Sequence, residues 1–464
     1  MRVLRLDQVH VSRHALAIRA SVGDLSFSTS YWYQDVDFDQ LAAQTSAEAV
    51  ARLGFHVALF EINKLCSLRP DRLELGEYAR FWTADLADLW STVLAKVWAQ
   101  WRYENDDPDY RGPEVAHPFA SPEAPLDGIR AADAPILALC GGGKDSLVTM
   151  RLLERAGLEY DSLVYSSSIY GRAEPQHALA GTLVDRCRPR KRLRQWIYDD
   201  FLDSPVLTLH PELDVRTLTA AETPSSIFAA LPIALAHGHQ AVCLGHERSA
   251  DVGQVRWAAT GEDVNHQWGK SLAAQRMIDR YIQESLVTGV RCMSPLKPIY
   301  DPLIFAALQH SLDDVPFTHS CNLAKPWCLA CPKCAYVWLG YAAFLPPEVV
   351  HATFGDANLL DRAELLPMFR ALLGLDGGGQ PFECIGSADE VGLYLALCRA
   401  RGYTGAALDL AEASSEVERW SEHLAVVFED GAMPEPIRER IEPELRELAT
   451  RAQGYLEQVL APLA

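Results

Sequence analysis

The segment PILALCGGGKDSLVTMRLLERAG, residues 135–157, decides the fold of this 464-residue chain. It begins with a short apolar run, passes through the glycines 141–143 and continues with the residue spacing of a helix. Glycine has no Cβ, so the backbone N–H groups of such a turn can approach an anion closely. The N-terminus of the following helix adds partial positive charge, and Lys144 adds a full charge. A turn that serves only to pack strand against helix is the alternative, and the Lys-Asp-Ser that follows the glycines disfavours it.

Short apolar segments recur after residue 134, and helical stretches lie between most of them. They are ILALC (136–140), DSLVYSS (161–167), RQWIYD (194–199) and AVCLGH (241–246). This alternation predicts an α/β fold, in which a parallel sheet carries helices on both faces. We place this block at residues 131–345, after an N-terminal α+β region at 1–130 and before a mostly helical region at 346–464.

Three segments support this division of the N-terminal region. The aromatic and Ser/Thr content of residues 25–38 predicts strands. Apolar residues at helical spacing over residues 81–101 predict a helix packed on a sheet. Residues 103–128 are rich in Pro, Gly and acidic residues, which predicts a linker.

The composition limits the classes of function. The chain has 62 acidic residues and 42 Lys or Arg residues, with a formal net charge of −20 and a pI of about 5.1. Gripping nucleic acid requires a basic surface, so this balance argues against a nucleic acid partner. The first 23 residues contain four arginines and no apolar core, and the longest apolar run, 227–236, is too short to span a bilayer. We therefore expect a cytoplasmic protein without a membrane partner.

The glycine turn resembles the PP-loop of the ATP pyrophosphatases, Ser-Gly-Gly-x-Asp-Ser. Those enzymes cut ATP between the α and β phosphates and transfer AMP to a substrate oxygen. The resemblance implies an ATP site formed by Gly141, Gly142, Gly143, Lys144, Asp145 and Ser146. It also implies that Asp145 places Mg²⁺ and that Ser166, at the end of the second strand, lies near adenine. Gly141 stands where the family has serine, so one hydroxyl contact is missing.

Further segments resemble one family of PP-loop enzymes, the UDP-N-acetylmuramoyl-L-alanyl-L-glutamate epimerases known as MurL. They are LGHERSADVG (244–253), GEDVNHQWGKSLAAQRMI (261–278), WCLACPKCAYVWL (327–339) and QPFECIGSADEV (380–391). The resemblance implies an ATP-dependent epimerase that converts the terminal L-Glu of UDP-MurNAc-L-Ala-L-Glu to D-Glu in peptidoglycan precursor synthesis. It makes this UDP-sugar dipeptide the small-molecule partner, while the oligomeric state stays open.

The implied reaction is chemically reasonable. The α-proton of the glutamate lies beside a carboxylate, so its removal would create a poorly stabilised double charge. The glutamate nitrogen is already an amide, which prevents Schiff base formation with pyridoxal phosphate. Conversion of the α-carboxylate to an acyl-adenylate removes one charge and allows an enolate to form. Deprotonation, reprotonation on the other face and hydrolysis then give the product, AMP and pyrophosphate.

Residues in the MurL-like segments are the candidates for substrate binding and proton transfer. The candidates for binding the substrate's carboxylates or sugar phosphates are Glu247, Arg248, Ser249, Arg256 and Lys270. Beside Lys144 and Asp145, the candidate catalytic residues are His246, His266 and Cys384, because proton transfer needs a group that titrates near neutral pH. Each histidine has a purely structural alternative, and Cys384 has the alternative of an inert buried thiol.

Four of the eleven cysteines are clustered with the spacing C-x6-C-x2-C-x2-C: Cys321, Cys328, Cys331 and Cys334. Such a set suits tetrahedral zinc. An iron–sulfur cluster is one alternative, and simple packing at a helix start is another. Some PP-loop enzymes, including 7-cyano-7-deazaguanine synthase, carry a similarly spaced zinc site.

Two other functions fit the glycine turn. One is a different PP-loop adenylating enzyme, either a ligase or a nitrile-forming synthase of the 7-cyano-7-deazaguanine type. The other is a nucleotide sensor without catalysis. The chain length and the segment 380–391 favour the epimerase over the first, and the Asp that places Mg²⁺ disfavours the sensor.

Overall fold

The computed structural model of the protein describes residues 2–128, 133–211, 222–411 and 417–461, with the side chains of residues 417–419 excepted. Its elements are numbered in chain order. The first six strands are β1 (Val3–Ser12), β2 (Ala15–Val22), β3 (Leu25–Tyr33), β4 (Arg72–Glu74), β5 (Glu114–Val115) and β6 (Leu126–Asp127). The helices among them are α1 (Phe38–Gln44), α2 (Ala47–Glu61), α3 (Ala84–Val97) and α4 (Ala99–Glu104).

Strands and helices alternate in the central part of the chain. Its strands are β7 (Ile136–Cys140), β8 (Tyr160–Ser167), β9 (Arg192–Asp199), β10 (Ala241–Cys243), β11 (Val255–Arg256), β12 (Asp263–Val264), β13 (Val287–Thr288) and β14 (Arg291–Met293). Its helices are α5 (Lys144–Arg155), α6 (Ala173–Arg186), α7 (Val206–Leu209), α8 (Glu222–His237), α9 (Leu272–Tyr281) and α10 (Asp301–Ala307).

The C-terminal part is helical in the residues described. Its α-helices are α11 (Pro332–Phe344), α12 (Pro347–Phe354), α13 (Leu366–Leu372), α14 (Ala388–Ala400) and α15 (Glu435–Leu460). A capping box begins α14, in which the Ser387 side chain accepts from the Glu390 N–H and the Glu390 carboxylate accepts from the Ser387 N–H. In the part of the chain that the structure describes, no helix combines the length and apolarity that a membrane crossing requires.

Across the described residues, ten strands form one sheet in the order β14-β10-β7-β8-β9-β3-β2-β1-β4-β5. The first five are parallel neighbours, as the alternation of strands and helices predicted. Strand β3 pairs antiparallel with β9, so the N-terminal hairpins extend the same sheet. The expected strands at residues 25–38 are confirmed for β3, whereas the helix expected over residues 81–101 is divided at Trp98 into α3 and α4.

Apolar side chains cover both faces of the parallel strands. In β7, Ile136, Ala138 and Cys140 join a core with α5, α11 and α14, while Leu137 and Leu139 join a second core with α2 and α8. All five residues of β7 are buried, as expected for a central strand with helices on both sides. The carboxyl ends of β7, β8 and β10 therefore open toward one edge of the sheet, where ligands bind in open α/β folds.

Candidate active site

The glycine turn joins β7 to α5 and lies under a later segment of the chain. Gly142 has φ +83°, and its C=O accepts a hydrogen bond of 2.8 Å from the His319 N–H. A Cβ on Gly142 would lie 2.0 Å from His319 Cε1, and one on Gly143 would lie 2.8 Å from Ser320 Oγ. A Cβ on Gly141 would meet nothing within 4 Å. The turn therefore needs glycine at Gly142 because another part of the protein, the His319 ring, packs against it.

Lys144 begins α5 but is directed into the protein. Its ammonium is buried, with Nζ 2.6 Å from Asp145 Oδ1 and 2.6 Å from Asp301 Oδ1, and it lies over the ring of Phe305. Burial disfavours the charge, but the attraction of Asp145, Asp301 and Glu247 is stronger and raises the pKa of Lys144. Lys144 therefore does not line the cleft itself, and it acts on the glycine turn through its ion pair with Asp145.

A cleft of about 320 Å³ opens above the turn at the carboxyl ends of the strands. Eight residues singled out in the sequence line it together: Gly141, Gly143, Asp145, Ser146, His246, His266, Lys270 and Cys384. They come from four separate segments of the chain, spanning residues 141–146, 246, 266–270 and 384. The fold thus brings the glycine turn and the candidate proton-transfer groups into one site.

Cys384 lies at the centre of a cationic group in this cleft. Burial would raise the pKa of its thiol, but Lys270 and His266, with a contribution from Lys333, lower that pKa to about 6. Lys333 also donates a hydrogen bond to the backbone C=O of Cys384. These neighbours therefore favour the thiolate of Cys384, the form that can act as a base.

His266 also has a partner in the N-terminal region. Its Nδ1 lies 2.6 Å from Gln100 Oε1, on α4. His246 differs, because burial and the charges of Lys270 and Lys297 hold its pKa well below the usual range. His246 is therefore uncharged at neutral pH. Cys384 and His266 are the better candidates for proton transfer.

The other substrate-binding candidates lie outside this cleft in the described structure. Glu247 is buried, and although burial favours its neutral form, Lys270, Lys144 and Lys297 lower its pKa. Ser249 Oγ donates to Glu390 Oε1 at 2.6 Å and accepts from the backbone N–H of Asp301. These contacts make Glu247 and Ser249 supports of the loop that carries His246.

The remaining candidates are also turned away from the cleft. The Arg248 guanidinium lies 3.2 Å from Glu429 Oε1, and Arg256 is exposed on β11. Ser166 is buried near the end of β8 and is not among the residues that line the cleft. Of the five residues proposed for substrate binding, the structure thus brings Lys270 to the cleft.

The four clustered cysteines meet beside the cleft. Their sulfur atoms all lie within 4.8 Å of one another, with 3.9 Å between Cys321 and Cys331 and 3.7 Å between Cys328 and Cys334. Tetrahedral Zn–S bonds of about 2.3 Å separate sulfurs by about 3.8 Å, so the geometry fits such an ion. Cys331 also caps α11. Sharing of one ion by Cys331 and Cys334 is therefore compatible with their places on the helix start.

The sequence did not reveal several residues that line the cleft. The segment that carries the cysteines contributes His319, Ser320, Asn322, Lys325 and Lys333. The N-terminus of α8 contributes Glu222, whose carboxylate accepts from the hydroxyl of Tyr170 at 2.5 Å. Apart from Lys333, which lies among the clustered cysteines, these residues belong to no motif singled out in the sequence, and their positions depend on contacts between distant segments. The spacing of the cysteines was the available signal that their loop has a fixed shape.

The fold and the cleft define a class of protein, namely an α/β protein with a glycine turn, a carboxylate and a cysteine at the carboxyl edge of a parallel sheet. Two family models match the chain, the MurL N-terminal domain over residues 223–294 and the MurL C-terminal domain over residues 316–425.

Curated relatives agree with the family models. A protein of Micromonospora sp. is 30% identical over 323 residues, which are 67% of this chain and 67% of the relative. A protein of Salinispora tropica is also 30% identical over 323 residues, 67% of this chain and 65% of the relative. One of Xanthomonas oryzae pv. oryzae is 31% identical over 309 residues, 60% of this chain and 61% of the relative. All three are named UDP-N-acetyl-alpha-D-muramoyl-L-alanyl-L-glutamate epimerase. This chain belongs to the MurL family.

Proposed function

We propose that this protein is an ATP-dependent epimerase that converts the terminal L-Glu of UDP-MurNAc-L-Ala-L-Glu to D-Glu through an acyl-adenylate. The observation that carries the proposal is that one cleft is lined by the glycine turn, by Asp145 and by Cys384, whose lowered pKa favours the thiolate. Activation of a carboxylate and movement of the neighbouring proton require these two kinds of group in one place. The name shared by the three relatives supports the same reaction.

The first step is activation of the substrate. An oxygen of the α-carboxylate attacks the α-phosphorus of ATP, and pyrophosphate leaves. We place the phosphates against Gly141, Gly143 and the N-terminus of α5, as in a PP-loop. The carboxylate of Asp145 faces the cleft and suits Mg²⁺, which prefers oxygen ligands and neutralises phosphate charge when bound. Lys144 holds Asp145 Oδ1 at 2.6 Å and so fixes this carboxylate.

The second step is proton transfer at the α-carbon. The Cys384 thiolate accepts the α-proton, and the electron pair is delocalised as an enolate onto the activated carboxyl group. Lys270, beside Cys384, is placed to attract a substrate carboxylate. His266 contacts Cys384 and can exchange a proton with its sulfur. A proton derived from solvent is then added to the other face of the α-carbon, and the Cys384 thiol returns its proton to solvent. Water finally cleaves the acyl-adenylate and gives the carboxylate and AMP.

The decisive test is incubation of the protein with UDP-MurNAc-L-Ala-L-Glu, ATP and Mg²⁺ in D₂O. We expect AMP, deuterium at the glutamate α-carbon by NMR, and D-Glu by chiral chromatography after hydrolysis. AMP without deuterium would refute the epimerase and indicate another adenylating enzyme. The absence of AMP would refute the adenylation step as well.

The substitution Asp145→Asn tests the role of the glycine turn. Loss of the carboxylate is expected to lower AMP formation about 10³-fold, because charge compensation at the transferring phosphorus is a large part of such catalysis. ATP binding, measured by calorimetry, is expected to remain detectable. Asp185→Asn, at an exposed acid of α6, is the control and should form AMP at the normal rate. Normal AMP formation by Asp145→Asn would contradict the proposed site.

We also propose that Cys321, Cys328, Cys331 and Cys334 bind one zinc ion. The convergence of their sulfurs supports a tetrathiolate site, and their loop also carries residues that line the cleft. The ion would then fix the wall formed by Ser320 and Lys325.

Metal analysis of the purified protein is expected to find about one zinc per chain, as a structural four-cysteine site holds a single ion. Cys334→Ser is expected to lose this zinc and to lower the melting temperature, because metal binding contributes to folding. Cys187→Ala removes a buried thiol outside the cluster and should keep the zinc. A zinc-free protein of normal stability, or one with bound iron and visible absorbance, would contradict the zinc assignment.

A further inference from the structure

The helix α4 belongs to the N-terminal region and precedes both segments matched by the family models. Its residue Gln100 is only 3% exposed. The Gln100 Nε2 donates to Glu104 Oε1 at 2.8 Å, which leaves Gln100 Oε1 as an acceptor. That oxygen lies 2.6 Å from His266 Nδ1. The amide of Gln100 is thus oriented by its own helix and directed at the imidazole.

This orientation fixes where the proton resides on His266. Because Gln100 Oε1 can only accept, His266 Nδ1 must carry a hydrogen and donate it. The nitrogen available to Cys384 is then Nε2. When the thiol is protonated, Nε2 accepts from sulfur, and when the thiolate is present, Nε2–H donates to it. The hydrogen on Nδ1 stays on that nitrogen in both states, donated to Gln100 Oε1, so the exchange is confined to Nε2 and sulfur.

Two neighbours of Gln100 hold the surrounding segments. The ring of Tyr103 lies edge-on to the ring of Phe382, two residues before Cys384, with centroids 5.7 Å apart. The Arg102 guanidinium lies 2.9 Å from Glu262 Oε2, in the hairpin that leads to His266. The helix α4 therefore contacts both the segment that carries Cys384 and the hairpin that leads to His266.

We propose that Gln100 is a positioning residue, which fixes the His266 ring so that Nε2 faces Cys384 and stabilises the thiolate. The N-terminal region thereby completes the active site of the protein. The catalytic meaning of this assignment rests on the proposed epimerase function, whereas its effect on the Cys384 thiol does not.

Other charged groups also act on Cys384 and must stay unchanged in a test. Lys270 and Lys333 favour the thiolate, and the carboxylate of Glu222 disfavours it. Substitution of Gln100 leaves these three groups in place. Any change in the titration of the thiol can then be assigned to the Gln100–His266 contact.

The test is the pH dependence of Cys384 alkylation in the full-length protein. Iodoacetamide reacts with the thiolate, and mass spectrometry of the Cys384 peptide separates it from the other ten cysteines. In Gln100→Met, which fills the space without an acceptor, the midpoint of alkylation is expected to rise by about one pH unit. In Gln100→Glu, which keeps an acceptor at Nδ1, the midpoint should stay at or below that of the unchanged protein.

Gln240→Met is the control, since Gln240 is a partly buried glutamine whose side chain bonds to Ala134 C=O at the other edge of the sheet. Its alkylation midpoint should not move. Equal midpoints for Gln100→Met and Gln100→Glu, or no shift in either, would overturn the positioning role. In the epimerase assay, Gln100→Met is expected to lose about tenfold in D-Glu formation and to keep AMP formation. If the unchanged protein proves not to be an epimerase, the alkylation result still decides the role of Gln100.

Discussion

Conversion of L-Glu to D-Glu is expected to fall about 10³-fold in Cys384→Ala, while ATP cleavage to AMP continues. The expected magnitude is that of a residue which transfers a proton in the transition state. Its physical basis is the thiolate, because Lys270 and His266 lower the pKa of Cys384 to about 6 against the effect of burial. With alanine at this position, the acyl-adenylate would form and then hydrolyse without inversion.

The pH dependence follows from the direction of this shift. The basic form of Cys384 is present above its lowered pKa and is lost as the pH falls through about 6. Proton exchange in the unchanged protein should therefore decline on acidification with a midpoint near that value. Deuterium incorporation at the α-carbon, measured as a function of pH, reports this step directly.

Cys187→Ala is the matched control for Cys384→Ala. Cys187 is a buried thiol in the core beside α5 and α6, away from the lining of the cleft, and burial raises its pKa. The Cys187→Ala variant should convert L-Glu to D-Glu at close to the normal rate. Inversion by Cys384→Ala at the normal rate would exclude the thiolate as the base. A joint loss of AMP and D-Glu would instead place Cys384 in the activation step.

Gly142→Ala is expected to destabilise the protein by about 3 kcal/mol. Two costs combine, because Gly142 has φ +83° and its new Cβ would lie 2.0 Å from His319 Cε1. A side chain in the left-handed region is strained, and the His319 ring, which is buried, has little room to move away from a new methyl group. The backbone N–H of His319 is also bonded to Gly142 C=O at 2.8 Å, which keeps the two segments close together. The segment that carries His319 and Ser320 would be displaced from the turn.

Urea unfolding of Gly142→Ala and Gly141→Ala separates this clash from a general effect of the added methyl group. Gly141 has open space around its Cβ position and is outside the left-handed region, so its alanine variant should unfold at the normal midpoint. Equal midpoints for the two variants would show that the His319 contact is not structurally important. AMP formation by Gly142→Ala is expected to fall in parallel, because the turn and the cleft wall would separate.

Features that depend on neighbouring residues could be predicted from the sequence. The buried strand β7, the glycine turn and the start of α5 could be predicted because each follows from the order of apolar residues and glycines in one short segment. The strand expected at residues 241–246 ends at Cys243, since the His246 N–H turns away to Ser294 Oγ. Strand β14, with three residues, is too short to show a period.

Features that depend on distant partners could not be predicted. Lys144 was expected to face the phosphates, but its nearest carboxylates include Asp301, 157 residues later. Gln100 lies in an aromatic helix without any motif, and its importance depends on His266, 166 residues away. In both cases the sequence shows the residue, but it does not show the distant partner that determines the role of the residue.

The continuous sheet has a consequence for solubility. Strand β9 is hydrogen-bonded to β8 on one side and to β3 on the other, with Tyr31 opposite Ile197 and Trp32 opposite Trp196. A chain shortened to its parallel strands would leave β9 as an open edge, with unpaired backbone groups and exposed aromatic rings. Such edges recruit strands from other molecules and lead to aggregation. The antiparallel N-terminal strands therefore protect the parallel strands from self-association.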